Sequence, residues 1–345
     1  MKRGLRLKSL MRVGGTLALA GFLAARLNWA ELGRAVTHLE PWAFWSSVGV
    51  FLMAQFVSTI RWRQLALDAD FRAPVGRFGA WYAAGMFCNL VLPTSVGGDV
   101  VRTWYLAHQA EGPPAGRTRR AATSVLLDRG TGLLVLIALA GVASMVSPVA
   151  LTPQVTWFLY TVLACTAVGL AVGLTASGWV GRKVPKLAPL IAQGWDFAGK
   201  PGLVAGSLAL SVLVQVASVV QVGLIGKGLG LEVPWAVYGC VVPLVTLLTL
   251  LPVSVSGMGL REAGYAALLA GFGVTAPEAV ALSLLGFAAT SLVALLGLPV
   301  ILWGGWPKVS GENEPTGIQD TAGPDCQESQ PTLCEKTKQI EGISA

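Results

Sequence analysis

The sequence predicts an all-α polytopic membrane protein built as an inverted-repeat helical bundle. Three observations carry that reading. The chain of 345 residues is 54% hydrophobic and only 12% charged, about half the ~25% of charged residues usual in soluble domains. Uncharged runs at 41–60, 155–177, 203–226 and 279–304, and a run at 121–146 interrupted by Asp128 and Arg129, exceed the ~18 residues that mark a membrane-spanning helix. Finally, one polar frame occurs twice in apolar surroundings. LPTSVGGDVVR at 92–102 and LPVSVSGMGLR at 251–261 share six of eleven positions. Lipid offers no partner to irregular backbone, so runs of this length must be helical.

The N-terminal segment 1–12 is basic and precedes a short apolar run, 13–25. Such a run reads as a signal peptide or as a retained helix; the topology below uses it as a helix, with Arg26 snorkelling at its far end. The run 41–60 ends in Arg61-Trp62-Arg63. This triplet reads as an interfacial anchor with Trp62 at headgroup level, or as an attractor of anionic headgroups. Basic residues gather at 2–12, 61–77, 117–120 and 182–200, sixteen in all, against Arg34 and Lys227 in the complementary loops. The positive-inside rule makes the four clusters cytoplasmic.

Arg77 and Arg117 then lie on one side, so the segment between them must enter and leave by the same face. Its first leg, 78–92, is 15 residues, about 22 Å as helix, against a hydrocarbon core of ~30 Å. A re-entrant hairpin follows, turning at 93–98 and returning through 99–107. The segment 233–272 repeats the pattern from the outer face, with Pro243 interrupting its first leg. About six full spans and two broken-helix hairpins result, with both termini cytoplasmic. The repeat halves are about 1–148 and 149–308, together one transmembrane domain in the cell membrane. Broken helices meeting near the midplane are the arrangement of many secondary transporters. Residues 309–345 are rich in Gly, Pro, Ser, Thr and Glu and read as a disordered cytoplasmic tail.

Composition removes several function classes. The net charge of +7 lies between the spans and implies no nucleic-acid partner. There is no G-x-x-x-x-G-K-S/T phosphate loop. With two histidines, His38 and His108, no histidine metal cluster is expected, and no cofactor. Cys88, Cys165 and Cys240 fall in apolar segments and read as packing. Cys326 and Cys334 sit in the polar tail with no metal motif around them. Gly169 and Gly173, four apart, read as a helix-packing pair.

The chemistry concentrates at the two frames. Pro93 ends the first leg, and Ser95, Gly97 and Gly98 expose backbone amides. Asp99 opens a new helix, with Arg102 one turn in. A glycine-flanked helix start beside an arginine is an anion site, and phosphate suits it. Ser254, Ser256, Gly257, Gly259 and Arg261 repeat the pattern, with Glu262 following. Asp128 and Arg129, about 100° apart on their helix, face different partners and line a polar cavity. The plainer alternatives are an Asp99–Arg102 pair, an Arg261 pair with Glu262 or Asp128, and a structural ion pair at Asp128 and Arg129. Charges inside a membrane are costly enough to be functional candidates.

The runs NLVLPTSVGGDVVRTWYLA (89–107), SVLLDRGTGLL (124–134) and LPVSVSGMGLREAGYAALL (251–269), with Arg61-Trp62, resemble the membrane region of lysylphosphatidylglycerol synthases. That region also occurs as stand-alone, flippase-like proteins. The resemblance spans about 10–305 and implies lipid handling: movement of an anionic phospholipid or polyprenyl-phosphate-type lipid between leaflets. The soluble lysyltransferase domain of the two-part synthases has no counterpart, so lysyl transfer is not expected and no catalytic residue is assigned. Two alternatives remain open. One is a membrane-embedded transferase acting on a lipid-linked sugar or aminoacyl-lipid, with Asp99, Asp128 and Glu262 as acid/base groups. The other is an accessory subunit of a lipid-synthesis complex. An anionic lipid and the membrane are the expected partners, with a homo-oligomer or a lipid-synthesis protein as further possibilities.

Overall fold

The computed structural model describes residues 33, 37, 39–91, 96–113, 116–146, 153–175, 183, 188–250 and 257–304. The first apolar run, the tail, Ser95, Ser254 and Ser256 lie outside the described residues. Helix α1 (Pro41–Asp68) leads into the hairpin α2 (Val75–Val91) and α3 (Gly97–Gln109), then α4 (Arg117–Val146) and α5 (Pro153–Thr175). A short helix, α6 (Ala188–Ala198), precedes α7 (Pro201–Gly228), the hairpin α8 (Trp235–Thr249) and α9 (Leu260–Leu269), α10 (Ala276–Ala294) and α11 (Gly297–Gly304). Among the described residues the extended structure is a single bridge, Arg72 to Glu111.

The element order repeats with constant spacing. α1 and α7 are both 28 residues long and both open on proline, 160 residues apart. α8 starts 160 residues after α2. Their packing also repeats. α1 lies along α7, their most extensive contact; α1 meets α10 as α7 meets α4, and α2 meets α10 and α11 as α8 meets α4. The equivalent helices α1 and α7 are antiparallel. The Glu40 amide at the start of α1 donates to the Gly228 carbonyl at the end of α7 at 3.0 Å, while Asp68 at the end of α1 meets Lys200 before α7 at 2.8 Å. Each hairpin is joined by a short loop to the end of the helix before it, so the two hairpins open at opposite ends of the bundle. The inversion inferred from loop charge is therefore present in the packing.

Among the described residues four stretches are long and apolar enough to cross a membrane: α1, Arg117–Met145 of α4, α7, and Ala276–Trp303 across α10 and α11. α5 carries the shorter apolar stretch Leu159–Gly169. The first legs of the hairpins are shorter among the described residues: 17 residues in α2 and 15 in α8, about 26 and 22 Å of helix against ~30 Å of hydrocarbon. Pro243 lies inside α8 without ending it. Large apolar side chains such as Trp42, Met53, Phe56, Trp157 and Trp303 are exposed. An apolar face of this extent belongs in lipid, not water.

Three expectations are corrected. The run 279–304 is not one continuous helix. It turns at 295–296, beside Gly297, where a methyl would sit 2.0 Å from the Ala83 carbonyl oxygen of α2; the close approach of the two backbones requires glycine there. Gly169 and Gly173 have no neighbour within reach of an added methyl, so they form no helix contact among the described residues. Cys165 is exposed on α5, whereas Cys88 and Cys240 are buried. The amphipathic helix α6 was not read from the sequence. Lys200 ties it to α1 by pairing with Asp196 at 2.6 Å and Asp68 at 2.8 Å. Those hydrogen bonds, Asp196's first, raise the Lys200 ammonium above the usual lysine pKa.

Candidate functional site

The site is assembled from α1, α3, α4 and α7 around one carboxylate. Asp128 of α4 accepts from Arg61 Nε through Oδ1 and from Arg102 Nη2 through Oδ2, both at 2.8 Å. Arg61 also donates from Nη1 to Ser211 Oγ of α7 at 2.7 Å. The Arg102 guanidinium lies between two rings, 4.3 Å from the centroids of Trp62 and of Tyr82. Its place exists because α2 carries glycine opposite: a methyl on Gly85 would meet Arg102 Cγ at 2.8 Å. Asp99, at the start of α3, is 3.7 Å from Arg102 and 2.9 Å from Arg129.

The charges do not balance. Arg61, Arg102 and Arg129 face Asp99 and Asp128, which leaves one positive charge over. Arg102 is 2% exposed, and its Nε finds no acceptor among the described residues. Arg102 and Arg129 line a cavity of about 240 Å³ with Tyr82, Asn89, Gln55 and Ser291. Its carboxylates stand behind the arginines, off the cavity wall.

The second frame builds a neutral counterpart. Arg261 donates from Nε to Ser283 Oγ at 2.7 Å and from Nη2 to Glu262 Oε1 at 3.0 Å. Ser283 closes the triangle by donating to Glu262 Oε1 at 2.8 Å. The Arg261 guanidinium lies 4.9 Å from the Phe287 ring centroid. Arg261 lines a cavity of about 280 Å³ with Gln221, Thr246 and Ser283. The two cavities share Phe51, Phe287 and Thr290, so those three side chains form a common wall. Among the described residues no three of His, Cys, Asp and Glu converge on a metal site.

The sequence model of the family described as lysylphosphatidylglycerol synthase TM region matches residues 9–297. The chain belongs to that family. No curated protein matches it. As a lysylphosphatidylglycerol synthase TM-region protein, it is a membrane protein related to lipid handling. The three runs quoted from its sequence place Asp99 and Arg102 on α3, Asp128 and Arg129 on α4, and Arg261 and Glu262 on α9.

The geometry changes several roles read from this TM-region sequence. Gly98 does not present a bare amide, because its N–H donates to Asn89 Oδ1 at 2.8 Å. The Gly259 amide is likewise taken by the Glu262 carboxylate. Buried amides must be paired, and here the chain pairs them itself, so the arginines and neutral side chains are left to meet a ligand. Glycine is required for two other reasons. Gly98 sits where a methyl would lie 2.1 Å from the Gly85 carbonyl oxygen, and Gly257 and Gly259 adopt φ of 73° and 85°, which other residues rarely do. Arg261 pairs with Glu262 and not with Asp128. Asp128 and Arg129 have separate partners, while Asp99 lies nearer to Arg129 than to Arg102.

Arg61 and Trp62 are not an interfacial anchor. Trp62 is fully buried and Arg61 nearly so, because Asp128 and Ser211 receive one and the Arg102 guanidinium covers the other. Arg61, Trp62 and Tyr82 are thus site residues missed in the sequence, although Arg61-Trp62 was part of the family pattern. Arg61→Lys is expected to lower stability by about 1–3 kcal/mol, because an ammonium on a flexible stem does not reproduce the planar fork that reaches Asp128 and Ser211 together. Thermal unfolding in detergent reads this; a midpoint equal to wild type would contradict it.

Proposed function

We propose that this chain carries the anionic headgroup of a lipid across the cell membrane. The observation that carries the proposal is the excess of three arginines over two carboxylates around the first cavity, where Arg102, paired with Asp128 through Nη2, has no acceptor for its Nε among the described residues. Guanidinium groups in the membrane that outnumber their carboxylates are costly, and one phosphate diester offsets the excess with charge-assisted hydrogen bonds. The second cavity supplies a further station at Arg261 on the other side of the wall formed by Phe51, Phe287 and Thr290. Hairpins opening at opposite ends suit access from alternate leaflets. Loop charge orients the first hairpin towards the cytoplasm. The acyl chains stay in lipid, beside the exposed apolar faces. A transferase reading is less well supported, since Asp99, Asp128 and Glu262 are each held by a guanidinium.

The test is translocation of fluorescent phosphatidylglycerol in vesicles containing the purified protein. Wild type should accelerate exchange between leaflets. Arg102→Ala and Arg261→Ala should slow it roughly ten- to hundredfold, the loss of one hydrogen bond to a charged group being about 1.5–3 kcal/mol. Wild-type rates in both variants, with correct folding, would remove the arginines from the pathway. A wild-type rate no faster than empty vesicles would remove the proposal.

A further inference from the structure

The two cavities share a chemical bias that narrows the headgroup. Among the described residues, the charged side chains lining them are Arg102, Arg129 and Arg261, and no aspartate or glutamate does. The segments 92–95 and 251–256 contain no acidic residue in sequence. Each carboxylate of the site is instead paired with a lining arginine and is itself absent from the lining: Asp128 with Arg102, Asp99 with Arg129, Glu262 with Arg261. The remaining polar lining is amide and hydroxyl, with Gln55, Asn89 and Ser291 in one cavity and Gln221 and Thr246 in the other. The Ser291 hydroxyl is buried and lacks a partner among the described residues.

An ammonium needs a carboxylate or an open aromatic face. Neither cavity lines its wall with the first. Of the aromatic rings lining the cavities, Tyr82 already carries the Arg102 guanidinium and Phe287 that of Arg261; the others, Phe51 in both cavities and Tyr265 in the second, stand in the same walls as those arginines. An ammonium in either cavity would therefore face an arginine without a counter-charge, an arrangement that rejects it. Neutral amides and hydroxyls both donate and accept, and so match sugar or glycerol hydroxyls.

We infer that the headgroup taken by this chain is a phosphodiester bearing uncharged hydroxyls, a polyol or sugar phosphate, and not an aminoacylated or otherwise ammonium-bearing one. This rests on the proposed headgroup pathway and deepens it. It separates this chain's cargo from the lysylated lipid named in its family's description.

The test is competition for the purified full chain, read by native mass spectrometry, with translocation in vesicles measured in parallel. The probes are phosphatidylglycerol, phosphatidylethanolamine and lysylphosphatidylglycerol, each at equal mole fraction in phosphatidylcholine. Phosphatidylglycerol should be retained at least roughly tenfold over both ammonium-bearing lipids, as like-charge exclusion predicts. Equal or greater retention of lysylphosphatidylglycerol overturns the inference, whether or not transport is seen. Selective retention without translocation upholds the inference and removes the transport proposal. No retention of any probe removes both.

Soluble glycerol phosphate and inorganic phosphate form a second arm. Displacement by glycerol phosphate but not inorganic phosphate supports recognition of the hydroxyls. Equal displacement by inorganic phosphate shows recognition of phosphate alone and overturns the hydroxyl part. Gln55→Glu and Gln221→Glu each place a carboxylate in one cavity wall. Each should reduce the preference for phosphatidylglycerol over lysylphosphatidylglycerol about tenfold; an unchanged ratio in both counts against the assignment.

Discussion

Asp128→Ala is expected to destabilise the protein by about 3–5 kcal/mol, the cost of leaving buried charges without their partner. Asp128 is where α1 and α3 are joined to α4, because Arg61 and Arg102 each use a different oxygen of one carboxylate. Removing it leaves both guanidinium groups buried, Arg61 with Ser211 and Arg102 with the aromatic rings and the more distant Asp99. Asp128→Asn keeps the shape and one acceptor, so it should fall between alanine and wild type. A double-mutant cycle makes the claim sharper. Arg61→Met with Asp128→Leu removes a charge of each sign and should cost clearly less than the sum of the single changes. Thermal or denaturant unfolding in detergent measures all four proteins. Additive costs, or an Asp128→Ala variant within about 0.5 kcal/mol of wild type, would show that the ion pairs do not couple these helices.

Gly98→Ala should produce the second large effect, by steric means alone. Its methyl would lie 2.1 Å from the Gly85 carbonyl oxygen and 2.7 Å from the Asn89 side chain. Backbone cannot yield as a flexible side chain can, so the legs α2 and α3 must separate. Overpacking of this kind costs about 1–3 kcal/mol or more. The separation also carries Arg102 away from Asp128, so phosphatidylglycerol translocation should fall with stability. Gly79→Ala is the matched control. It adds the same methyl to α2, where nothing lies within 4 Å, and should be neutral or stabilising by up to about 1 kcal/mol through helix propensity. If the two variants behave alike, contact between the hairpin legs is not what Gly98 provides.

The sequence made the spans legible because lipid imposes a length and a polarity that can be read locally. The hairpins were legible because two polar frames interrupted apolar runs and loop charge fixed the parity of crossings. What escaped were features whose cause lies far along the chain. Arg61 closes an apolar run, as a snorkelling residue would, and its burial is set by Asp128, 67 residues later, and Ser211, 150 residues later. The break at 295–296 is silent in a run of leucines and glycine, as is the close approach of Gly297 to Ala83 of α2 beside it. The Gly98 amide looked available for an anion because its true partner, Asn89, lies across the hairpin tip. Charged residues within apolar sequence were found readily; the pairing among them, in which Arg61 and Arg102 share Asp128, was a tertiary fact.

The antiparallel crossing of α1 and α7 bears on how the protein acquires a direction at all. Two helices of equal length, each opening on proline, pack head to tail against each other, and each brings a matching set of neighbours with it. Turned upside down, the bundle would offer either leaflet much the same scaffold. Its core therefore gives the insertion machinery almost no compass. Which way is up must then be set by loop charge, for which the positive-inside rule expects the sixteen clustered basic residues on one side against Arg34 and Lys227 on the other.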